Sequence, residues 1–391
     1  MINDDLLSPA VLEQINRPTA DAICLPNEAY THDSFLERER SEIFDRQWVF
    51  AAVGAQIPRR GDVLPVEIAG RPVVLTRNRN GEVRAFHNVC RHRGLQLVSD
   101  RKQGCATLVC PYHSWAYSLD GELKKTPHFG GHDCDDAPGL DRSEYGLAGI
   151  RCEMWHDLIF LNLSGDAAAL EHSLGPLQAR WADYDLTLLR HGGTATFDVA
   201  TNWKLAVENF VESYHLPWTH PSLNGYSRMQ AHFNMLEPTY LGQGSTGYDS
   251  VAAGHPDLPM FPGLSEQARR TAEYPYVMPN LLLGMHPSYL FVFGIQPVTP
   301  ERTREVFHFY YVGDAAMTDE LAAQRSKPID SWLGINAEDI VMIEGMQRGR
   351  RSPGYVNGRF SPYHEVTTHE FQRRVANQLS RSMPVAEAAF S

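Results

Sequence analysis

NWKLAVENFVESYHLPWTH, Asn202–His220, puts two glutamates and two histidines into a stretch that otherwise reads as a buried helix. Leu205, Glu208, Glu212 and His215 follow one another at spacings of three, four and three, which in a helix stacks them along one stripe. Trp203, Phe210, Val211 and Tyr214 cover much of the remaining circumference, so the helix is expected to be buried on most sides. A carboxylate in such a place is costly unless it is paired or coordinates an ion. Pro217 disfavours helical geometry at Leu216, so the helix should end about there and leave His220 on the following turn. Either histidine alone reads as a hydrogen-bonded core residue. Two of them beside buried carboxylates point to a metal ion.

Two histidines and one carboxylate on one face of an ion leave its other positions open for O2 and substrate, so a carboxylate is the third ligand to look for. DSWLGINAEDIVMIEGMQRG, Asp330–Gly349, supplies one. Trp332, Ile335, Asp339, Met342, Ile343 and Met346 fall on one apolar stripe of a late helix, with Asp339 the lone charge among them. A buried salt bridge from Asp339 to Arg or Lys is the alternative. Glu338 and Glu344 lie elsewhere on the wheel and read as solvent-facing. The late helix is expected over about residues 319–350, in two pieces separated near Pro328.

A second constellation precedes this one. Cys90 and His92 form C-x-H in NVCRHRG, and after 17 intervening residues Cys110 and His113 form C-x-x-H in VCPYHSW. Each pair follows a strand-like run, in a loop whose backbone can wrap a metal centre. Structural zinc is one reading, but zinc fingers usually segregate cysteines from histidines, whereas here each loop donates one of each. That arrangement suits a [2Fe–2S] cluster with one iron held by two thiolates and the other by two imidazoles, the Rieske type. Cys24, Cys105, Cys134 and Cys152 are left over and read as packing residues. His128, His132, Asp133 and Cys134, in HFGGHDCDD, read as a solvated loop rather than a further site.

The rest of the 391 residues sets bounds. Hydrophobic residues make up 43% and charged residues 21%, with no apolar run near the roughly 18 residues that cross a bilayer, so a globular chain off the membrane is expected. The net charge of −12 disfavours nucleic acid as partner. Six cysteines are too sparse for a disulfide framework, and the acidic start MINDDLLSPA lacks a leader pattern, so a cytoplasmic location is expected. From about residue 45 to 163 short β-rich runs alternate with turn signals, among them Asn80-Gly81 and Asp120-Gly121. The later half reads as helices flanking antiparallel strands, including NLLLGMHPSYLFVFGIQPV and TREVFHFYYVG, which makes the fold class α+β. Gly242–Gly247, GQGSTG, fits a dinucleotide fingerprint only on paper, because no helix follows it.

Taken together, Cys90-x-His92, Cys110-x-x-His113, His215, His220 and Asp339 resemble the α subunits of Rieske non-haem iron oxygenases, the ring-hydroxylating type, over nearly the whole chain. The resemblance implies an N-terminal helical segment (residues 1–44) packing on the catalytic domain, an all-β Rieske [2Fe–2S] domain (45–165) and a helix-grip catalytic domain with mononuclear Fe(II) (166–391). It implies a head-to-tail homotrimer, with O2 as co-substrate and electrons from NAD(P)H through a separate flavin/iron–sulfur reductase or ferredoxin. In the family a carboxylate just before the first iron histidine bridges cluster and iron, and the matching position is Glu212. Most ring dioxygenases carry aspartate there, while glutamate is familiar from members acting on carnitine, betaines and choline. The implied reaction is hydroxylation or oxidative demethylation of a quaternary ammonium or N-methyl compound, with mono- or dioxygenation of an aromatic acid as the alternative. Tyr214, Trp218, Tyr226, Phe233 and Tyr289 are candidate walls for a cationic head group, with core packing the leading reading for each taken singly. The rivals from other classes are a non-catalytic Rieske electron carrier and a zinc hydrolase at His215, His220 and Asp339.

Overall fold

The computed structural model describes residues 6–356 and 358–380; residues 1–5, which carry half of the acidic start, lie outside them. Two units make up the chain. Phe44–Ala168 is one, and the residues up to Ile43 together with those from Ala169 onward form the other.

The first unit is built of short strands: β1 (Val49–Val53), β2 (Val63–Ile68), β3 (Arg71–Arg77), β4 (Val83–His87), β5 (Leu108–Val109), β6 (Ala116–Tyr117), β7 (Leu123–Lys125), β8 (Gly149–Trp155) and β9 (Leu158–Asn162). Six form an antiparallel sheet in the order β1-β9-β8-β4-β3-β2, and β5-β6-β7 form a small second sheet. Asn80-Gly81 and Asp120-Gly121 turn the β3–β4 and β6–β7 hairpins, with φ of 88° at Gly81 and 87° at Gly121. A Cβ at Gly121 would come 2.4 Å from the Phe86 ring, so the turn also needs glycine for close packing. Asn78 fastens both hairpins: its Oδ1 accepts from the amides of Asn80 and Glu82, and its Nδ2 donates to Asp120 Oδ1 at 2.7 Å. Val63, Val74, Phe86, Leu108, Tyr117 and Leu147 form one core with Cys90 and Cys110, so the cysteine loops are anchored in the packed interior of the unit.

The second unit carries an antiparallel sheet of seven strands: β10 (Leu189–Val199), β11 (His232–Leu236), β12 (Leu241–Ser245), β13 (Ala272–Val277), β14 (Leu281–Met285), β15 (Tyr289–Thr299) and β16 (Arg302–Val312), in the order β10-β16-β15-β14-β13-β12-β11. Its helices are α1 (Pro9–Ile15), α2 (Asp33–Glu39), α3 (Leu170–Arg180), α4 (Trp203–Phe210), α5 (Leu216–Thr219), α6 (Pro221–Tyr226), α7 (Ala322–Gly349) and α8 (Val366–Ser380). The α+β class expected from the sequence is what the chain adopts. No helix among the described residues is long and apolar enough to cross a membrane.

Two features differ from the sequence-based expectation for the late helix. It is one continuous 28-residue helix rather than two pieces, with Pro328 inside it. A proline in the second turn forfeits one intrahelical bond, and the turns on either side keep theirs. The inward side also differs. Met342 and Met346, expected to be buried, are 45% and 43% exposed, while Asn336, Ile343 and Gln347 are buried. Polar residues occupy the inner face because they have partners there: Asn336 Nδ2 donates to Glu305 at 3.0 Å and Gln347 Nε2 to the Tyr30 carbonyl at 3.1 Å.

A fully buried ion pair ties the N-terminal segment to α4. Glu39 Oε1 and Lys204 Nζ are 2.6 Å apart and neither side chain is exposed, and Trp203 Nε1 donates to the other Glu39 oxygen at 2.9 Å. Burial pushes Glu39 up and Lys204 down, each opposed by the partner's charge.

Candidate metal centres

The two Cys/His loops are built alike. Cys90 N donates to Leu95 O at 2.8 Å and Gly94 N to Cys90 O at 3.0 Å, while Cys110 N donates to Trp115 O at 2.8 Å and Ser114 N to Cys110 O at 3.0 Å. Position i+4 has positive φ in both, 76° at Gly94 and 57° at Ser114. Both cysteines are 2% exposed, and the imidazoles, half-buried, come together with ring centroids 4.7 Å apart. Burial pushes the Cys110 thiol up, with Cys90 beside it adding to the rise. Two thiols on the inside and two imidazoles towards the surface fit the split ligand set of a Rieske cluster. Sequence reasoning missed two supports of this site. Trp115 stacks on His92 at 4.7 Å with an interplanar angle of 7°, and the Tyr117 hydroxyl lies 3.4 Å from Cys90 Sγ while accepting from Arg91 N at 3.0 Å. The only signal for either was an aromatic following the second loop. His128, His132, Asp133 and Cys134 are exposed, as expected of a solvated loop.

In the catalytic unit α4 ends at Phe210, a turn and a half earlier than the stripe reading required. Glu212 terminates it. Its carboxylate accepts from the amides of Tyr214 and His215, and Gln243 Nε2 donates to the Glu212 carbonyl at 3.0 Å. Pro217 does not end a helix here. It sits in the first turn of α5, where its missing amide is no loss. The Gly242–Gly247 run starts on strand β12 and supplies Gln243. A Cβ at Gly244 would lie 2.4 Å from the Phe233 ring, which explains that glycine.

The break swings His215 and His220 towards α7. Their rings are 5.1 Å apart, and ligand atoms of His215, His220 and Asp339 all lie within 4.8 Å of one another. Asp339 Oδ1 is 2.8 Å from His220 Nε2 and 3.6 Å from His215 Nε2, and accepts from Asn209 Nδ2 at 3.0 Å. The opposite ring nitrogens are held by carboxylates, His215 Nδ1 by Glu212 Oε1 at 2.5 Å and His220 Nδ1 by Glu338 Oε2 at 2.6 Å. A carboxylate only accepts, so each Nδ1 carries the proton and each Nε2 lone pair faces Asp339. That facing is repulsive unless a proton or a divalent cation lies between. Burial drags both imidazoles down, but the surrounding carboxylates outweigh it and hold both above the usual histidine range. Two imidazoles, one carboxylate and two outer carboxylates fit a mononuclear iron.

Three sequence readings need correction. Glu338 is not merely solvent-facing, because it turns back onto His220. Glu208 is not part of this site: it accepts from the Tyr30 hydroxyl at 2.6 Å and lies 4.0 Å from Arg350, so its charge is met by an arginine. The aromatic walls are also different. A cavity beside the histidines is lined by Phe210, Tyr274, Trp332, His232, Leu223 and Ile335 among others. An adjoining one is lined by Phe210, Phe291, Phe293, Phe307, Trp332 and Glu305 among others. Tyr214, Trp218, Tyr226, Phe233 and Tyr289 line neither. Tyr214 and Trp218 instead stand 40% and 69% exposed just outside Glu212.

Comparison with known proteins agrees with this pattern. Residues 186–381 match the family model described as "Ring hydroxylating alpha subunit (catalytic domain)", and residues 47–134 match that of the "Rieske [2Fe-2S] domain". The glycine betaine monooxygenase oxygenase subunit of Pseudomonas aeruginosa is 36% identical over 219 residues, 54% of this chain and 50% of its own, so the match spans half of that relative. The carnitine monooxygenase oxygenase subunit of Escherichia coli is 27% identical over 344 residues, 86% of each chain. Among solved structures, the quaternary ammonium Rieske monooxygenase CntA in complex with L-carnitine superposes with a TM-score of 0.76 at 23% identity, covering 94% of this chain and 98% of that one. Naphthalene 1,2-dioxygenase from Rhodococcus sp. gives 0.76 at 23%, covering 97% and 100%. At such identities these two likenesses are likenesses of fold.

Proposed function

Because the chain belongs to the ring-hydroxylating oxygenase α-subunit family, we propose that it is the terminal oxygenase of a multicomponent system that hydroxylates or oxidatively demethylates a quaternary ammonium or N-methyl compound. Cys90, His92, Cys110 and His113 would hold the Rieske cluster, and His215, His220 and Asp339 the mononuclear iron. The observation that carries the reading is the group formed by His215, His220 and Asp339, both of whose histidines have Nδ1 fixed by an outer carboxylate. The relatives named for glycine betaine and carnitine support the substrate class. A bound iron would supply the redox chemistry that lets O2 react with a C–H bond.

The chain's own residues do the rest. Glu212 and Glu338 keep the Nδ1 protons, so both Nε2 lone pairs are presented on one side. Asn209 donates to Asp339 and fixes the orientation of its carboxylate. Phe210, Tyr274 and Trp332 give the adjoining cavity an apolar wall. Electrons would come from NAD(P)H through a separate reductase and pass between subunits of a homotrimer, with Glu212 as the bridging residue. The exposed Tyr214 and Trp218 beside Glu212 support a docked neighbour at this surface, and a solved structure of a quaternary ammonium Rieske monooxygenase gives insight into inter-subunit electron transfer in that protein. If the carbon hydroxylated is an N-methyl group, the carbinolamine collapses to formaldehyde and the demethylated amine.

Substrate-dependent oxygen uptake with a surrogate reductase tests the reading. Methylated ammonium compounds are expected to stimulate uptake with formaldehyde release. Stimulation by aromatic acids alone rejects the substrate class, and a colourless zinc protein rejects the oxygenase.

A further inference from the structure

Glu305 lies on β16, in register with Phe197 of β10 and Ile295 of β15, deep in the seven-stranded sheet. It is 1% exposed. The one hydrogen bond of its side chain among the described residues is from Asn336 Nδ2 at 3.0 Å. No arginine or lysine pairs with it among the described residues, and the charge that acts on it is another carboxylate, Asp339, which adds to the upward push of burial. Asn336 needs an acceptor here, which a neutral amide would supply as well as an acid. An uncompensated carboxylate costs stability that an apolar side chain of the same size would not.

The surroundings say what the acid faces. The cavity it lines is walled by Phe210, Phe291, Phe293, Phe307 and Trp332. These rings form a continuous wall, with Phe293 stacked on Phe307 at 4.0 Å and Phe291 4.5 Å from Trp332. Asn209, Phe210, Trp332, Ile335 and Asp339 also line the cavity at His215 and His220, so the two spaces adjoin. Aromatic faces attract a cation, and a carboxylate behind them supplies a counter-charge that the protein itself does not meet. The same carboxylate repels an aromatic acid.

We propose that Glu305 is the anionic anchor of the substrate site: it holds a methylated ammonium group inside the chamber walled by Phe210, Phe291, Phe293, Phe307 and Trp332, beside Asp339. The assignment rests on the substrate class proposed above and adds the residue that selects for charge.

Equilibrium binding to the metal-loaded protein tests it, with choline and its carbon isostere, in which a tert-butyl group replaces trimethylammonium, as the probes. The wild type is expected to hold choline at least about tenfold more tightly than the isostere. Glu305→Gln should cut that preference to about threefold or less, the part the rings supply, and leave isostere binding unchanged, and Glu305→Asp should keep more of it. A Glu305→Gln protein that still prefers choline tenfold overturns the anchor while leaving the substrate class standing. So does a wild type that binds both probes equally, an outcome that needs no variant to fold. A wild type that binds neither choline nor any other methylated ammonium compound, but does bind benzoate, overturns both.

Discussion

Glu338 Oε2 lies 2.6 Å from Nδ1 of His220, although the Glu338 side chain is half exposed and His220 is 1% exposed. The carboxylate reaches inward to fix a buried ring. Glu338→Ala frees that ring to rotate and to change tautomer, so mononuclear iron should bind about ten- to a hundredfold more weakly. Chelator competition measures this, and an unchanged affinity removes Glu338 from the site.

Asp339→Ala deletes the proposed carboxylate ligand, yet the Cys/His loops belong to the other unit. Iron content should fall from roughly three to roughly two atoms per chain, with the visible and paramagnetic spectra of the cluster intact. Loss of both centres together contradicts the assignment of separate ligand sets.

Glu212→Gln should retain iron at both sites but slow single-turnover product formation by at least about tenfold, with the cluster remaining reduced. Wild-type kinetics in that variant reject the bridging role.

Lys204→Met removes the counter-charge of Glu39 where neither group meets solvent. Leaving one member of a buried pair is expected to cost about 3–5 kcal/mol, read from the denaturant midpoint at neutral pH. Exchanging both residues for apolar ones should recover most of the loss.

Burial raises Glu305 from an ordinary value of 4.5 to about 7, opposed by the Asn336 bond and reinforced by Asp339. Between these values the native state binds more protons than the unfolded state, so stability falls as pH rises through the window and levels off above it. In iron-free protein the wild type should lose about 3 kcal/mol between pH 4 and 8 relative to Glu305→Gln. Parallel stability curves for the two proteins exclude the shift.

The spacing of Cys90, His92, Cys110 and His113 was legible because each loop closes within six residues and depends on nothing distant. Asp339 was legible as a lone charge among apolar neighbours, although only part of that stripe faces inward, Met342 and Met346 being exposed. What stayed hidden depends on partners remote in sequence. The end of α4 at Phe210 is set by Glu212 reaching its neighbours' amides and by Gln243 from β12, and helical periodicity carries no trace of either. Glu208 looked equivalent to Glu212 on the wheel, but Tyr30 and Arg350, far away at both ends of the chain, had already claimed it. The chamber walls escaped because β15 is apolar on both faces, so alternation could not say which rings look into a cavity.

The unbroken course of α7 has a mechanical meaning. Asn336 touches Glu305 and, three positions on, Asp339 stands between the two histidines. Both side chains ride on one stiff rod, less than a turn apart. A guest paired with Glu305 would therefore lie against the helix less than one turn from Asp339, and α7 fixes the distance between the two.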